Sequence, residues 1–177
     1  MTNDSTQPSP FREAIPPFAT RWRKFDRVMV KETPNRGLGV FTKISVKAGR
    51  AIGRVHGEIM PGDYRSHYCV GFGEHALEPF PPFRFLNHSC DPNCEFIEWT
   101  TMDEESANED PSRPKPIELW LHAIKDIPQG EELTIDYGWD WQSAIPCRCG
   151  SRNCRRWICK IDELNLCVQN RGYPTET

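Results

Sequence analysis

The sequence predicts a mostly β fold made of short strands. Sixteen prolines and twelve glycines among 177 residues favour many turns. The apolar runs are short and rich in β-branched or aromatic residues, and they lack a sustained helical period. None approaches the roughly 20 residues of a membrane-spanning helix. We therefore expect one soluble domain with tails, and no membrane partner.

The predicted elements follow in chain order. Residues 1–24 are polar and interrupted by prolines, so we expect a flexible N-terminal tail. A short helix is predicted within residues 162–170, and residues 166–177 are expected to form a C-terminal tail. The predicted strands cover residues 28–30, 40–42, 51–59, 68–70, 94–99, 118–124 and 133–135.

An acidic, proline-containing stretch at residues 100–117 interrupts the strand pattern. It predicts a mobile loop between two strands, and a solvated hairpin extension is the favoured interpretation over a site that attracts a basic substrate. We expect a main domain at residues 25–142, followed by a cysteine-rich segment at residues 143–165.

Charge and cysteine content restrict the function further. The net charge of −3 and the pI of about 6.0 argue against direct nucleic-acid binding, which would need a local basic patch. The first residues lack the pattern of a secretory signal, which predicts a soluble intracellular protein in the cytoplasm or nucleus. In that compartment the eight cysteines indicate metal binding rather than disulfides.

Three cysteines lie close together around a glycine. Cys147, Cys149 and Cys154 form a C-x-C-x(4)-C pattern that can direct three thiolates at one zinc ion. A structural zinc site takes four ligands, so the fourth must come from elsewhere. The pattern leaves Cys90, Cys94, Cys159 or a histidine as candidates. Because the segment also contains five basic residues, a small nucleic-acid-binding knuckle is the alternative.

Three further motifs contain candidate functional groups. Residues 36–41 (RGLGVF) are glycine-rich, which fits a tight turn or a close backbone approach to a ligand. Residues 84–93 (RFLNHSCDPN) concentrate amide, imidazole, hydroxyl and thiol groups in one turn-forming segment. Tyr137 follows the apolar strand at residues 133–135, where a phenol is either a buried plug or an oriented catalytic group.

Taken in order, these motifs and the cysteine pattern resemble the SET-domain protein lysine methyltransferases, over about residues 25–158. The resemblance implies a β-clip fold of small sheets with a C-terminal pseudoknot and a post-SET zinc knuckle. It implies methyl transfer from S-adenosylmethionine to a lysine of a protein substrate with a basic tail, such as a histone.

The resemblance also implies site residues. Tyr137 would be catalytic, and its hydroxyl would orient the lysine amine. Zinc would be structural, with Cys90 completing the set of Cys147, Cys149 and Cys154. The implied cofactor-binding residues are Arg36, Gly37, Leu38, Gly39, Asn87, His88, Tyr137 and Trp157, the last of these over the adenine.

Two positions depart from the family pattern. Val55 stands where the family usually has a tyrosine, and either Tyr68 or His56 is a candidate to compensate. Ile135 occupies the position that often decides how many methyl groups are added, so the usual product rule does not apply. Val55 supports an alternative hypothesis, a catalytically inactive SET-like scaffold that binds protein.

Overall fold

The computed structural model describes residues 25–100 and 117–174. These residues form four small sheets and one short α-helix, with three 3-10 turns at Phe83–Phe85, Trp141–Ser143 and Ile161–Glu163. The strands are β1 (Val28–Thr33), β2 (Gly37–Thr42), β3 (Ala51–Arg54), β4 (Gly57–Met60), β5 (Val70–Phe72), β6 (His75–Pro79), β7 (Asn87–His88), β8 (Cys94–Thr100), β9 (Ile117–Ala123), β10 (Glu132–Ile135), β11 (Ile145–Pro146) and β12 (Trp157–Ile158), and the helix is α1 (Leu164–Arg171).

The largest sheet has the order β1-β2-β10-β7. Strands β1 and β2 form an antiparallel hairpin, β10 adds to β2 antiparallel, and β7 adds to β10 parallel. Val40 and Leu133, which are adjacent across β2 and β10, have no exposed surface. Apolar burial at this junction fixes β10 between two segments that are far away in the sequence.

Two three-stranded sheets complete the main core. One has the order β3-β9-β8 and the other β4-β6-β5. Alternation along β9 buries Leu119, Leu121 and Ala123 on one face, as expected for a strand with one face on the core. The parallel pair of β7 and β10 lies against this core through Ile135 of β10 and through Leu86, which immediately precedes β7.

A second, smaller core lies around the C-terminal segment. Ala144, Trp157, Cys159 and Cys167 are buried together, next to the β11-β12 pair and α1. Cys167 lies in α1 and is fully buried, so the helix packs on this core through Cys167. The domain boundaries given by the sequence stay predictions. No helix among the described residues is long and apolar enough to cross a membrane.

The mostly β prediction is confirmed, with two local differences. The strand expected at residues 51–59 is two strands in different sheets, because β3 pairs with β9 whereas β4 pairs with β6. The strand expected at residues 68–70 begins at Val70. The expected tail at residues 1–24 and nearly all of the acidic loop lie outside the described residues.

Candidate functional site

The parallel pairing of β7 and β10 brings three of the predicted site residues together. Thr134 and Ile135 lie opposite Asn87 and His88, so Tyr137 follows two residues beyond the paired strands. The Tyr137 backbone N–H donates to His88 Nδ1 over 3.2 Å, and the two rings are 5.4 Å apart. Residues separated by about fifty positions therefore form one local cluster.

The glycine-rich segment lies against the same cluster. The Asn87 side-chain amide donates to the Leu38 carbonyl over 3.0 Å and to Glu132 Oε1 over 2.8 Å. Arg36 donates to Glu132 Oε2 over 2.6 Å and to the His88 carbonyl over 3.4 Å. The Glu132 carboxylate therefore links the loop to both β7 and β10. Sequence analysis did not single out Glu132, although it begins the strand that precedes Tyr137.

Two glycines in this segment are required by geometry. Gly37 has φ of 69°, in the left-handed region that side chains disfavour. A Cβ atom on Gly39 would lie 2.6 Å from Glu132 Oε1 and 2.8 Å from the Thr33 methyl group. The backbone at Gly39 therefore approaches these side chains so closely that any other residue type would force them to shift.

Tyr137 forms one wall of a narrow cavity of about 130 Å³. Its hydroxyl donates to the Leu86 carbonyl over 2.8 Å, and its ring stacks on Trp139 at 5.3 Å. Burial raises the pKa of Tyr137 to about 12, so the phenol stays protonated at neutral pH. Aromatic and apolar groups dominate the other walls, which include Tyr68, Phe83, Phe96, Ile135 and Trp139.

His88 is held in its neutral form. Burial lowers its pKa to about 4, a shift that the nearby Asp136 carboxylate partly opposes. Since Nδ1 accepts the hydrogen bond from Tyr137, the ring proton lies on Nε2, which is 3.3 Å from Cys90 Sγ. The imidazole therefore connects the Tyr137 turn to the cysteine cluster.

Cys90, Cys147, Cys149 and Cys154 meet at one point. Their sulfur atoms all lie within 4.8 Å of one another, and Cys90 Sγ is 3.6 Å from Cys147 Sγ. A tetrahedron with Zn–S bonds of about 2.3 Å has sulfur–sulfur edges of about 3.8 Å, so the spacing fits such an ion. Two alternative ligands lie elsewhere, Cys94 in the main core and Cys159 in the second core.

Backbone N–H groups point at the cluster sulfurs. The Cys90 N–H donates to Cys149 Sγ over 3.5 Å, the Arg155 N–H to Cys90 Sγ over 3.4 Å, and the Arg156 N–H to Cys154 Sγ over 3.4 Å. Donors aimed at sulfur favour thiolates over thiols. The backbone of the knuckle is thus suited to the charged form that metal ligation requires.

A bidentate ion pair joins the knuckle to the Tyr137 turn. Arg155 donates to both oxygens of Asp136 over 2.7 and 2.8 Å, and to the Cys159 carbonyl over 3.0 Å. This pairing was not predicted from the sequence, although Arg155 follows the last cysteine ligand and Asp136 precedes Tyr137. It connects the two motifs directly.

Trp157 lies in the second core. It is buried beside Ala144, Cys159 and Cys167, and its indole N–H donates to the Gly172 carbonyl over 3.0 Å. It also lines an open cavity of about 840 Å³ next to the cysteine knuckle. Its role over an adenine remains a prediction.

Comparisons with known proteins identify a family and several relatives. The SET domain family model matches residues 37–138, more than half of the chain. The H3 lysine-9 specific histone-lysine N-methyltransferase KMT1 of Fusarium mangiferae is 32% identical over 168 residues, covering 71% of this chain and 46% of that protein. Histone-lysine N-methyltransferase NSD3 of Mus musculus is 31% identical over 155 residues, covering 77% of this chain and 10% of that protein.

A solved structure has a related fold. KRYPTONITE in complex with mCHH DNA, H3(1-15) peptide and SAH superposes with a TM-score of 0.60 at 22% identity, covering 74% of this chain and 29% of that chain. This chain spans less than half of the length of each of these relatives. The family match over the β2-to-Tyr137 region, together with the observed sheets, establishes that the chain belongs to the SET domain family.

Proposed function

We propose that this protein is a protein-lysine N-methyltransferase that uses S-adenosylmethionine and acts on a lysine in the basic tail of a protein, a histone or another basic protein. The observation that supports this most strongly is the position of the Tyr137 phenol, between the Asn87–His88 strand and an aromatic cavity. Relatives named as histone-lysine methyltransferases support the same activity.

The residues near β7 fit a cofactor that needs close backbone contact. Strand β7 is at the edge of its sheet, so one side of its backbone faces away from β10. The lack of a Cβ on Gly39 keeps the loop and β7 close together. Arg36, Leu38, Asn87 and His88 would hold the cofactor, which supplies an electrophilic methyl group when it is bound. Trp157 is the proposed adenine contact.

The aromatic cavity fits the acceptor. A lysine side chain has an apolar stem and a cationic end, and aromatic walls bind both. Burial in such a channel lowers the pKa of the amine, because it disfavours the charged form. The deprotonated amine can then act as a nucleophile without a strong protein base.

Tyr137 would orient that amine. Its proton is already donated to the Leu86 carbonyl, so its lone pairs are available to accept a hydrogen bond from the lysine. Since the pKa of Tyr137 is raised to about 12, the phenol acts as a neutral positioning group and not as a phenolate base. Fixing the amine in line with the methyl group lowers the barrier through orientation.

We propose zinc for the four-cysteine cluster. Four thiolates in tetrahedral spacing suit Zn²⁺ and leave no open coordination position, which indicates a structural site. Cys90, Cys147, Cys149 and Cys154 would hold the C-terminal segment against β7. Because Cys90 lies two residues after His88, the ion would also fix the end of β7, the strand that we propose contacts the cofactor.

The scaffold alternative depended on Val55. Val55 is 4% exposed and packs in the main core, whereas Tyr68 lines the aromatic cavity with Tyr137. Tyr68 can therefore supply the second phenol of the channel. This arrangement favours the enzyme over an inactive scaffold.

The test is transfer of labelled methyl from S-adenosylmethionine to a panel of histones and other basic proteins, with the modified residue identified by mass spectrometry. We expect label on lysine, and a loss of turnover of about 100-fold or more in Tyr137→Phe. Tyr64→Phe is the matched control, because Tyr64 lies in a surface turn. A folded, zinc-loaded protein that transfers no label to any member would support the scaffold.

A further inference from the structure

A second cavity, of about 500 Å³, lies outside the methyl-transfer site. It is formed by the segment that follows β2, by the start of β3 and by side chains of β8 and β9. Three cationic residues and two aromatic residues line it, namely Arg27, Lys47, Arg50, Trp99 and His122. Its volume is in the range of small-molecule sites.

The aromatic wall follows from strand register. Trp99 on β8 lies opposite Glu118 on β9, and alternation places Trp120 and His122 on that same face. The ring of Trp99 lies 6.2 Å from Trp120 and 5.4 Å from His122, in tilted contacts. The opposite face of β9 packs against the main core. Three rings therefore form one continuous aromatic surface on the outer side of the β3-β9-β8 sheet.

Trp99 is accessible on this surface and His122 is not. Trp99 is 51% exposed, although a large indole at such a position would ordinarily be covered. His122 is 6% exposed, and its Nε2 is buried without a hydrogen-bond partner among the described residues. An unpartnered buried nitrogen is rare in proteins, and this one belongs to a residue that lines the cavity.

The cations give the cavity a positive charge. Arg27, Lys47 and Arg50 contribute three positive charges to a wall that contains no carboxylate among its described residues. Lys47 pairs with Asp126 over 2.7 Å outside the cavity, and both side chains are exposed, so water screens that pair. Arginines bind phosphate through paired donors.

We propose that this cavity binds a nucleoside phosphate, with the base stacked on Trp99 and the phosphate held by Arg27 and Arg50. A stacking platform beside cations is the arrangement with which proteins bind single nucleotides and single strands. An acidic peptide would use the cations but would leave the exposed indole without a partner. The negative net charge argued against nucleic acid unless a local basic patch exists, and this cavity is such a patch.

The test is calorimetric titration of the full chain with uridine monophosphate, uridine and inorganic phosphate. A pyrimidine nucleotide avoids the proposed adenine position of the methyl donor. We expect saturable binding of the nucleotide, with weaker binding of uridine and of phosphate. Trp99→Ala and Arg50→Ala should each weaken binding about ten-fold or more, and Trp99→Phe should restore most of it.

Arg65→Ala is the matched control, since Arg65 is exposed and, among the described residues, donates to the carbonyls of Gly62 and Tyr64 in its own turn. Thermal unfolding of each variant checks folding, and methyl transfer should be unchanged in the Trp99 variants. A ten-nucleotide oligodeoxythymidylate distinguishes the two sources of the ligand. Tighter binding than that of the mononucleotide indicates a single strand as the ligand, and equal binding indicates a free nucleotide. Equal binding of phosphate and nucleotide, or unchanged binding in Trp99→Ala, would overturn the proposal.

Discussion

The ion pair between Arg155 and Asp136 should contribute strongly to stability, because it is a direct side-chain link between the cysteine knuckle and the Tyr137 turn. We consider Arg155→Ala. The substitution removes two charge-assisted hydrogen bonds to Asp136 and one hydrogen bond to the Cys159 carbonyl. Asp136 would remain beside His88 without its partner.

The expected loss of unfolding free energy lies between the losses measured for exposed and for buried ion pairs. Exposed pairs contribute about 0–1 kcal/mol, and breaking a buried pair costs about 3–5 kcal/mol. Here the Arg155 side chain is 9% exposed and that of Asp136 is 34% exposed. Arg155 Nε is buried without a partner among the described residues. Removing this group ends the penalty for burying it, which offsets part of the lost stability. We therefore expect a loss of about 2 kcal/mol.

Chemical denaturation of the zinc-loaded protein measures this loss. Lys47→Ala is the matched control, because both side chains of the Lys47–Asp126 pair are exposed and water screens the pair, so that the unfolding free energy should be nearly unchanged. A double-mutant cycle with Asp136→Ala should give a coupling energy of about 1–2 kcal/mol. A loss in Arg155→Ala as small as that in Lys47→Ala would refute the reasoning.

Three further predictions test the cysteine cluster, the glycine segment and the phenol. Cys90→Ser should lower the zinc content measured by mass spectrometry, whereas Cys69→Ser should retain one ion per chain. Gly39→Ala should destabilise by about 1–3 kcal/mol in denaturant, because its Cβ would lie 2.6 Å from a carboxylate oxygen; Gly71→Ala, with open space around it, should change stability little. Since burial raises the pKa of Tyr137 to about 12, initial rates should not fall between pH 8 and pH 10. A fall with an apparent pKa near the usual value of about 10 would contradict this.

Sequence analysis could predict those parts of the candidate site whose residue types and spacing are chemically distinctive. Asn87, His88 and Cys90 form a dense polar segment, and three further cysteines have close metal-ligand spacing. The four sulfurs do converge, and Tyr137 does lie against His88. These residues are recognisable because cysteine and histidine clusters are unusual in strands that serve only packing.

Other features depend on pairing between distant segments and could not be predicted. The division of residues 51–59 into β3 and β4 reflects two different partner strands, which local propensity does not encode. The Arg155–Asp136 pair depends on how the knuckle docks, and each residue alone is typical of a solvated surface. The aromatic surface at Trp99 appears only once the register of β8 and β9 is known.

We propose that the loop at Arg36, the Asn87–His88 strand and the Tyr137 turn form one methyl-donor site. The most direct measurement is calorimetric titration of the zinc-loaded protein with S-adenosylhomocysteine, the product form of the donor. We expect one saturable binding event per chain, weakened in Asn87→Ala and unchanged in Asn170→Ala, whose side chain is exposed on α1. No binding by a folded protein with a full complement of zinc would contradict it.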